Sequence, residues 1–167
     1  MIAPEHFKAA VSRFASGVTV VTVSASGTLH GMTASAFSSL SLDPPLVLVC
    51  VAREAWMHDL LTGAEGFGVN LLADDQAGLA SWFATPERPL GPAQFEGFEW
   101  EPAHASGAPV LAGSLAHLDC DVHEILPGGD HTIVLGVVRH AEVVEDRGPL
   151  VYFRGRFGRF LDGPPET

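Results

Sequence analysis

The sequence predicts a mainly β fold with a few helices, arranged as an antiparallel barrel or sandwich. Three features indicate this class. Residues 17–27 are rich in β-branched side chains and end in small turn-forming residues. Residues 115–126 alternate between apolar and polar side chains, and a Pro-Gly-Gly-Asp turn at 127–130 leads into another strand-like run at 131–145. Many short strands with few helices are typical of antiparallel barrels and sandwiches.

The first predicted element is a helix over residues 4–16. Pro4 suits its first turn, and Gly17 offers a stop at its other end. One face repeats apolar side chains at helical spacing, namely Phe7, Val11 and Phe14. These signals predict an N-terminal helix that leads directly into the strand at 17–27.

Segment 30–45 follows and is unusually rich in small hydroxyl side chains. It contains no Lys or Arg, and its hydroxyl residues are Thr33, Ser35, Ser38, Ser39 and Ser41. Pro44 and Pro45 end the segment. Residues 46–51 are then continuously apolar, which predicts a short buried strand.

The middle of the chain predicts two helices and a strand. Residues 54–62 are expected to form a short helix, and residues 67–72 a buried strand. Asp74 or Asp75 can cap a further helix that runs through Phe83.

Residues 85–109 are rich in Pro and Gly and show little periodicity, so they predict a long surface loop. Loops of this length in compact domains are often functional or lie at an interface. The chain has no internal repeat and no linker. We therefore expect one domain over residues 1–167.

The alternating run at 115–126 predicts one apolar and one solvent-facing side of a strand. Leu118, Cys120 and Val122 share the apolar face, and the polar face carries His117, Asp119, Asp121 and His123. A strand rises about 3.3 Å per residue, so His117 and His123 are roughly 20 Å apart. They cannot bind one ion, and the sequence predicts no metal site.

The net charge of −11 argues against a nucleic acid partner, which requires a basic face. Three of the nine Lys and Arg residues fall close together, at Arg154, Arg156 and Arg159. In so acidic a chain this cluster could receive an anion, and a solvated strand end is the alternative interpretation.

The composition also indicates in which cellular compartment the protein is expected. Hydrophobic residues make up 47% and charged residues 17% of the chain, an excess that could cover a subunit interface or a ligand pocket. No apolar run approaches the length of a membrane span. The two cysteines, Cys50 and Cys120, lie in apolar strand-like runs without a C-x-x-C motif. A reduced, cytoplasmic protein is the expected reading.

Several common motifs are missing from the sequence. It has no G-x-G-x-x-G after a strand, no G-x-x-x-x-G-K-[ST] and no G-x-S-x-G. These absences argue against a Rossmann dinucleotide site, a P-loop and a serine hydrolase.

Segment 30–45 has the composition of a site for a flat, polar ligand. Small residues let the backbone approach a planar ring, and hydroxyl and backbone N–H groups supply hydrogen bonds without bulk. Exposed N–H groups can also hold a phosphate. The alternative is a Ser/Thr-rich strand that bends into the two prolines.

Five motifs, in order, resemble the short-chain flavin reductases. They are FASGVTVVTV, GMTASAFSSLSLDPPLVLVCV, FGVNLL, PGGDHTIVLGVV and LVYFRGRFGRF, within residues 5–161. The likeness is to reductase components of two-component flavin monooxygenases of the 4-hydroxyphenylacetate hydroxylase kind. It implies an antiparallel split β-barrel of the FMN-binding type.

The resemblance also implies a set of flavin-binding residues. Backbone and small side chains at Met32, Thr33, Ala34 and Ser35 would face the isoalloxazine ring. Ser39, Leu40 and Ser41 would lie nearer the ribityl and phosphate end. Arg53 would bind the flavin phosphate, and Phe83 matches an aromatic near the flavin edge, with core packing as its alternative role.

Further residues are implied for the hydride donor. His131 would lie beside the nicotinamide and act as the catalytic residue. Arg154, Arg156 and Phe157 match a segment that receives the reduced nicotinamide nucleotide.

The resemblance implies an NAD(P)H:flavin oxidoreductase, a homodimer that passes reduced flavin to a partner oxygenase. The flavin would be FMN or FAD, and the donor NADH or NADPH. Alternatives on the same barrel are a non-catalytic flavin carrier or redox sensor, or a protein that binds another phosphorylated heterocycle such as a pyridoxal phosphate.

Overall fold

A computed structural model describes residues 2–144 and 146–161 of the chain. The elements in chain order are α1 (Pro4–Val11), β1 (Ser16–Gly17), β2 (Thr19–Ala25), β3 (Thr28–Ala34), β4 (Phe37–Leu42), β5 (Pro45–Ala52), α2 (Trp56–Thr62), β6 (Gly66–Leu71), α3 (Ala77–Ala84), a 3₁₀ helix (Gly91–Phe95), β7 (Trp100–Pro102), β8 (Pro109–Leu111), β9 (Ala116–Gly128), β10 (His131–Val143), β11 (Leu150–Phe153) and β12 (Arg156–Arg159).

Seven of these strands form one antiparallel sheet in the order β3-β2-β6-β9-β10-β5-β4. Its two edge strands, β3 and β4, are neighbours in the chain and are separated only by Ser35 and Ala36. Two residues span less than about 11 Å, so the edges must approach each other at that corner. The sheet therefore curls into a barrel that is joined at one corner, which confirms the predicted mainly β, antiparallel split-barrel class.

The strands β9 and β10 form the longest hairpin of the sheet. His131 pairs with Gly128, so the predicted turn lies at the tip of the hairpin, where Gly129 has a φ of 76°. The register shifts at two places along β10, between Leu135 and Gly136 and between Val138 and His140. Such irregularities bend a strand and help the sheet to curve.

Two smaller sheets complete the fold. Strands β1, β11 and β12 form one of them, and β7 and β8 form the other. The predicted surface loop at 85–109 is wrong in part, because it contains the 3₁₀ helix and β7, and because Gln94 and Phe95 are buried. Those two side chains are covered because the segment folds back over β3.

The buried side chains form two clusters on the two sides of the main sheet. One fills the barrel and includes Val49, Phe67 and Cys120. The other lies under α3 and includes Phe83 and Phe95. Cys120 belongs to the predicted apolar face of β9, and its burial confirms that face.

Helices α1 and α3 both differ from the prediction. Helix α1 ends at Val11 rather than near residue 16, and its apolar side chains Phe7 and Val11 are 56% and 48% exposed. Within the described chain these side chains have no core to cover. Helix α3 begins at Ala77 without a side-chain cap, because Asp75 instead forms an ion pair with Arg147.

The predicted solvent-facing side of β9 is also wrong at two positions. His117 and Asp119 are buried, and the loop before β8 covers Asp119. Asp119 accepts hydrogen bonds from the backbone N–H groups of Ala105 and Ser106, at 2.7 and 3.2 Å. A buried carboxylate is stable there because backbone donors satisfy it. No helix in the described ranges is long and apolar enough to cross a membrane.

Candidate functional site

Two adjoining cavities lie between β3, α3 and the loops that surround them. We call them cavity A, of about 530 Å³, and cavity B, of about 560 Å³. Thr33, Ala84 and Pro86 line both cavities, so these three small side chains form a shared wall. Each volume is in the range that small-molecule sites typically have.

Cavity A is formed by strand β3, the segment that follows β5, and the C-terminal end of α3. Its lining comprises His30, Met32, Thr33, Ala52, Glu54, Ala55, Trp56, Met57, Phe83, Ala84, Pro86, Arg88 and Leu90. Most of these side chains are apolar, with Glu54 and Arg88 as the charged exceptions. A flat ring can therefore lie against apolar walls while its polar edge meets charge or backbone.

Cavity B lies on the other side of the shared wall, under the β11–β12 hairpin. Its lining comprises Val18, Thr33, Ser35, Ser81, Ala84, Thr85, Pro86, Glu87, Tyr152, Gly155 and Phe157. The rings of Tyr152 and Phe157 pack at an angle of 56°, with centroids 5.6 Å apart. Cavity B thus combines an aromatic pair with several hydroxyl groups.

Helix α3 is held on β3 by two contacts that shape the shared wall. The hydroxyl of Thr33 donates a hydrogen bond of 2.7 Å to the carbonyl oxygen of Ala80. The ring of Phe83 lies directly on Gly31, where any β-carbon would come within 2.7 Å of the ring. The packing therefore requires glycine at position 31.

A polar network stiffens the floor of cavity A. The Arg88 guanidinium donates to the carbonyl oxygens of Gly31 and Thr85 and lies 3.3 Å from His30 Nε2. Gln94 Oε1 accepts the backbone N–H of Gly31 at 2.9 Å. Arg88 also lies 6.0 Å from the centroid of the Phe83 ring. One arginine therefore ties the loop after α3 to β3.

His30 is neutral in this network. Burial, followed by the nearby charge of Arg88, lowers the pKa of His30 from 6.5 to about 4. Arg88 lies against Nε2, and the side-chain nitrogen of Gln94 lies 3.2 Å from Nδ1. Both ring nitrogens therefore face groups that can only donate, which disfavours the imidazolium. Burial also lowers the pKa of Arg88.

Five of the predicted site residues line the two cavities. Met32 and Phe83 line cavity A, Ser35 and Phe157 line cavity B, and Thr33 lines both. Phe83 is fully buried and packs on Phe95 with centroids 5.2 Å apart, which confirms its alternative role in the core. Residues 31–34 of the GMTAS run belong to β3, and Ser35 follows the end of the strand.

The other residues predicted for the flavin lie outside both cavities. The side chain of Ala34 packs into the barrel core, and its carbonyl oxygen accepts the Thr19 hydroxyl at 2.8 Å. Ser39, Leu40 and Ser41 lie on the edge strand β4, which pairs with β5.

Arg53 is exposed just beyond β5, next to the residues that line cavity A, and its backbone N–H donates to Asp130. Its guanidinium is thus available at the rim of the cavity.

His131 also lies outside the two cavities, at the tip of the β9–β10 hairpin. It is the register partner of Ala52, which lines cavity A, and its Nδ1 lies 2.8 Å from Asp130 Oδ1. This hydrogen bond, followed by the charge on the same ring, lowers the pKa of Asp130. The imidazole is 44% exposed and is free to meet a ligand.

Arg154 and Arg156 lie on the exposed turn of the β11–β12 hairpin, above cavity B. The backbone N–H of Arg154 donates to the carbonyl oxygen of Ser12, and Arg154 has a φ of 51°. The third residue of the predicted cluster, Arg159, points toward Asp74, with Nε 3.6 Å from Oδ2. Two of the three arginines thus remain open to an anion.

Sequence reasoning missed Trp56, Arg88 and Tyr152 as lining residues. Trp56 is 68% exposed at the mouth of cavity A, at the start of α2. Arg88 lies within the supposed surface loop, where nothing in the spacing marks it. The contact between Tyr152 and Phe157 could have been predicted, because the two residues lie on adjacent strands.

The chemistry that this arrangement supports is binding and orientation. Apolar side chains dominate cavity A, hydroxyl groups and an aromatic pair line cavity B, and the single histidine of the two linings is buried and neutral. Two ligands in cavities A and B would meet at a wall made only of Thr, Ala and Pro side chains. Such a wall suits a reaction between two bound molecules, since positioning them is the principal task of the protein.

Comparison with known proteins agrees with this geometry. A model of the flavin reductase like domain matches residues 11–161. An NADH-dependent FAD reductase of Streptomyces globisporus is 47% identical over 153 residues, which cover 92% of this chain and 84% of the relative. The reductase component of 4-hydroxyphenylacetate 3-monooxygenase from Thermus thermophilus is 43% identical over 157 residues, covering 94% of this chain and 97% of the relative.

A solved structure gives the same result for the fold. The NADH:FAD oxidoreductase SgcE6 of Streptomyces globisporus C-1027, in complex with NAD and FAD fragments, superposes with a TM-score of 0.89. The match covers 96% of both chains at 41% identity. The resemblance stated from the motifs is confirmed, and the chain belongs to the flavin reductase like domain family.

Proposed function

We propose that this protein is an NADH-dependent flavin reductase that supplies reduced flavin to a partner monooxygenase. The observation that carries the proposal is the pair of ligand-sized cavities that share the wall of Thr33, Ala84 and Pro86. A reaction between two planar cofactors needs two such seats in contact. Relatives named as NADH-dependent reductases and as a monooxygenase reductase component support the assignment.

Cavity A is the proposed seat of the flavin ring. Its apolar lining fits a tricyclic ring, and the Phe83 ring, which packs on Gly31, forms part of that lining. When bound, the flavin supplies the ring that accepts a hydride. The exposed Arg53 at the rim is the proposed partner of its phosphate, and FMN and FAD both remain candidates.

Cavity B is the proposed seat of the nicotinamide. Tyr152 and Phe157 offer faces for stacking, and the hydroxyls of Thr33, Ser35 and Ser81 can hold the carboxamide. Arg154 and Arg156 on the turn above are the proposed partners of the nucleotide phosphates. In this arrangement the chain orients both ligands, and no protein group needs to exchange a proton with either.

The resemblance also implies flavin contacts from residues that lie outside both cavities. Ala34, Ser39, Leu40 and Ser41 would contact the flavin through backbone or a second copy of the chain. The role of His131 at the nicotinamide nucleotide rests on the resemblance, because its imidazole lies outside both cavities of a single chain.

We also propose a cytoplasmic homodimer whose chains each form one domain over residues 1–167. Large apolar side chains that are exposed in one chain support the dimer, including Phe7 at 56%, Phe14 at 80% and Leu42 at 94%. A flavin carrier or redox sensor is the alternative function, but such a protein would need only one of the two cavities.

Stopped-flow spectroscopy with purified protein tests the proposed function. Absorbance loss of NADH should occur only when FAD or FMN is added, and the flavin absorbance should bleach under anaerobic conditions. NADPH in place of NADH measures the donor preference. Flavin binding without NADH oxidation would overturn the enzyme assignment and favour the carrier.

A further inference from the structure

Three metal-binding side chains lie together on the β9–β10 hairpin, at the end away from its tip. His117 on β9 is the register partner of Glu142 on β10. His140 precedes Glu142 by two residues on the same strand, so their side chains point to the same face. Asp119 is the register partner of His140. The pairing of two strands therefore assembles a cluster that neither strand contains alone.

The distances in this cluster are close to those of a metal site. Glu142 Oε2 lies 3.6 Å from His117 Nε2 and 3.7 Å from His140 Nε2. One ligand atom from each of the three residues can be chosen so that all lie within 4.8 Å of one another. Ligands of a tetrahedral Zn²⁺ ion are about 3.4 Å apart, given bonds of about 2.1 Å. Small rotations of exposed side chains would close the remaining gap.

The surroundings give the cluster one fixed and two adjustable members. The His117 side chain is 10% exposed, whereas His140 and Glu142 are 57% and 59% exposed. The Nδ1 atom of His117 has no hydrogen-bond partner within the described ranges. Burial holds the His117 ring in place, and its Nε2 atom, 3.6 Å from Glu142 Oε2, faces the cluster.

The adjacent groove adds favourable charge. It has a volume of about 360 Å³, and its lining includes His117, Glu142, Glu99, Glu101 and Trp100. Two further carboxylates near the cluster favour a cation. The net charge of −11 acts in the same direction.

We propose that His117, His140 and Glu142 form a binding site for a divalent transition-metal ion, best suited to Zn²⁺, with the remaining position open to water. Two imidazoles and one carboxylate are ligands that Zn²⁺ accepts. The sequence predicted no metal site, because spacing along β9 relates only the histidines of that one strand. The second histidine comes from the neighbouring strand, which spacing along one strand cannot reveal.

A bound ion would link β9 to β10 at the base of their hairpin. It would therefore stabilise the folded chain in proportion to its free concentration, because the unfolded chain lacks the preformed cluster. The proposed metal site shares no lining residue with cavity A or cavity B. Flavin binding should therefore not depend on the metal ion.

Calorimetric titration of chelator-treated protein with Zn²⁺ tests the proposal. Wild-type protein should bind one ion per chain, and His140→Ala and Glu142→Gln should each bind at least about tenfold more weakly. Both positions are exposed, so the variants should fold. His123→Ala, at an exposed histidine on the same strand as His117, is the matched control and should bind like wild type.

Co²⁺ provides a spectroscopic readout of the same site. A tetrahedral set with nitrogen and oxygen ligands should give visible absorption bands in wild-type protein, and His140→Ala should lose them. Zn²⁺ should raise the midpoint of thermal unfolding of wild type and of His123→Ala, but not of Glu142→Gln. Equal affinity of wild type and His140→Ala, or equal weakening in His123→Ala, would overturn the proposal whether or not the protein reduces flavin.

Discussion

The Phe83 ring rests on the backbone of Gly31 so closely that a β-carbon at position 31 would lie 2.7 Å from Phe83 Cε1. This contact places helix α3 against strand β3 and shapes the floor of cavity A. The same ring meets Phe95 and Phe98, with centroids 5.2 and 5.7 Å away. Phe83 therefore has little room to retreat from a larger residue at position 31.

Replacing Gly31 with Ala should destabilise the protein and weaken flavin binding together. Overpacking a filled core typically costs about 1–3 kcal/mol, and the displaced ring would narrow cavity A. Urea unfolding and flavin titration measure the two effects. Gly78→Ala on α3 is the matched control, because a β-carbon there meets nothing within 4 Å. Its stability should stay equal or rise by up to about 1 kcal/mol.

The strand pattern of this protein was largely predictable from sequence, whereas the function of single residues was not. Alternation along β9 and the turn at its end predicted the longest hairpin correctly, because one face packs on the core. The burial of Asp119 could not be predicted, since the loop that covers it arrives from residues 103–108. Alternation identifies two faces of a strand but not what covers the second one.

Gly31 shows a similar limit at the candidate site. Its small size was interpreted as room for a ligand, and the structure shows that it makes room for Phe83. Thr33, two residues on, does line both cavities as expected of a ligand-binding residue. Arg88 was missed because its partners, His30 and Gly31, are distant in sequence and meet it only after the loop folds back.

The buried His30 should make stability depend on pH. Its pKa is about 4 in the folded protein and near 6.5 in the unfolded chain. Between these values the unfolded chain binds a proton that the folded protein excludes. The free energy of unfolding should therefore fall as pH decreases through that window, by up to about 3 kcal/mol from this group.

His30→Gln isolates this contribution, because Gln can still accept from Arg88 but does not titrate. Urea unfolding of both proteins at several pH values between about 7 and about 4 gives the comparison. The stability difference between wild type and variant should change in favour of the variant as pH falls. Parallel curves over the whole range would contradict the neutral, buried state of His30.

Loss of the aromatic pair in cavity B should affect the nicotinamide nucleotide before the flavin. Phe157→Ala removes one of two rings whose centroids are 5.6 Å apart. The loss of a stacking face should raise KM for NADH about five- to tenfold, with a smaller change in flavin affinity. Phe153→Ala, at a 43% exposed ring on the same hairpin, is the control and should behave like wild type. A larger loss for flavin than for NADH would reverse the proposed assignment of the two cavities.

His131 offers the sharpest test of a role that a single chain does not explain. Its imidazole is partly exposed, hydrogen-bonded to Asp130 and outside both cavities. If it meets the nicotinamide nucleotide, His131→Ala should raise KM for NADH about tenfold, as expected for one lost hydrogen bond to a charged ligand, and leave the Kd for flavin unchanged. His123→Ala, at another exposed histidine of the same hairpin, is the control. The pKa of Asp130, followed by NMR titration, should rise in His131→Ala, because the hydrogen bond from His131 is the largest cause of its lowering. A raised pKa with equal loss of flavin and NADH binding would show that His131 supports the hairpin tip rather than the nucleotide.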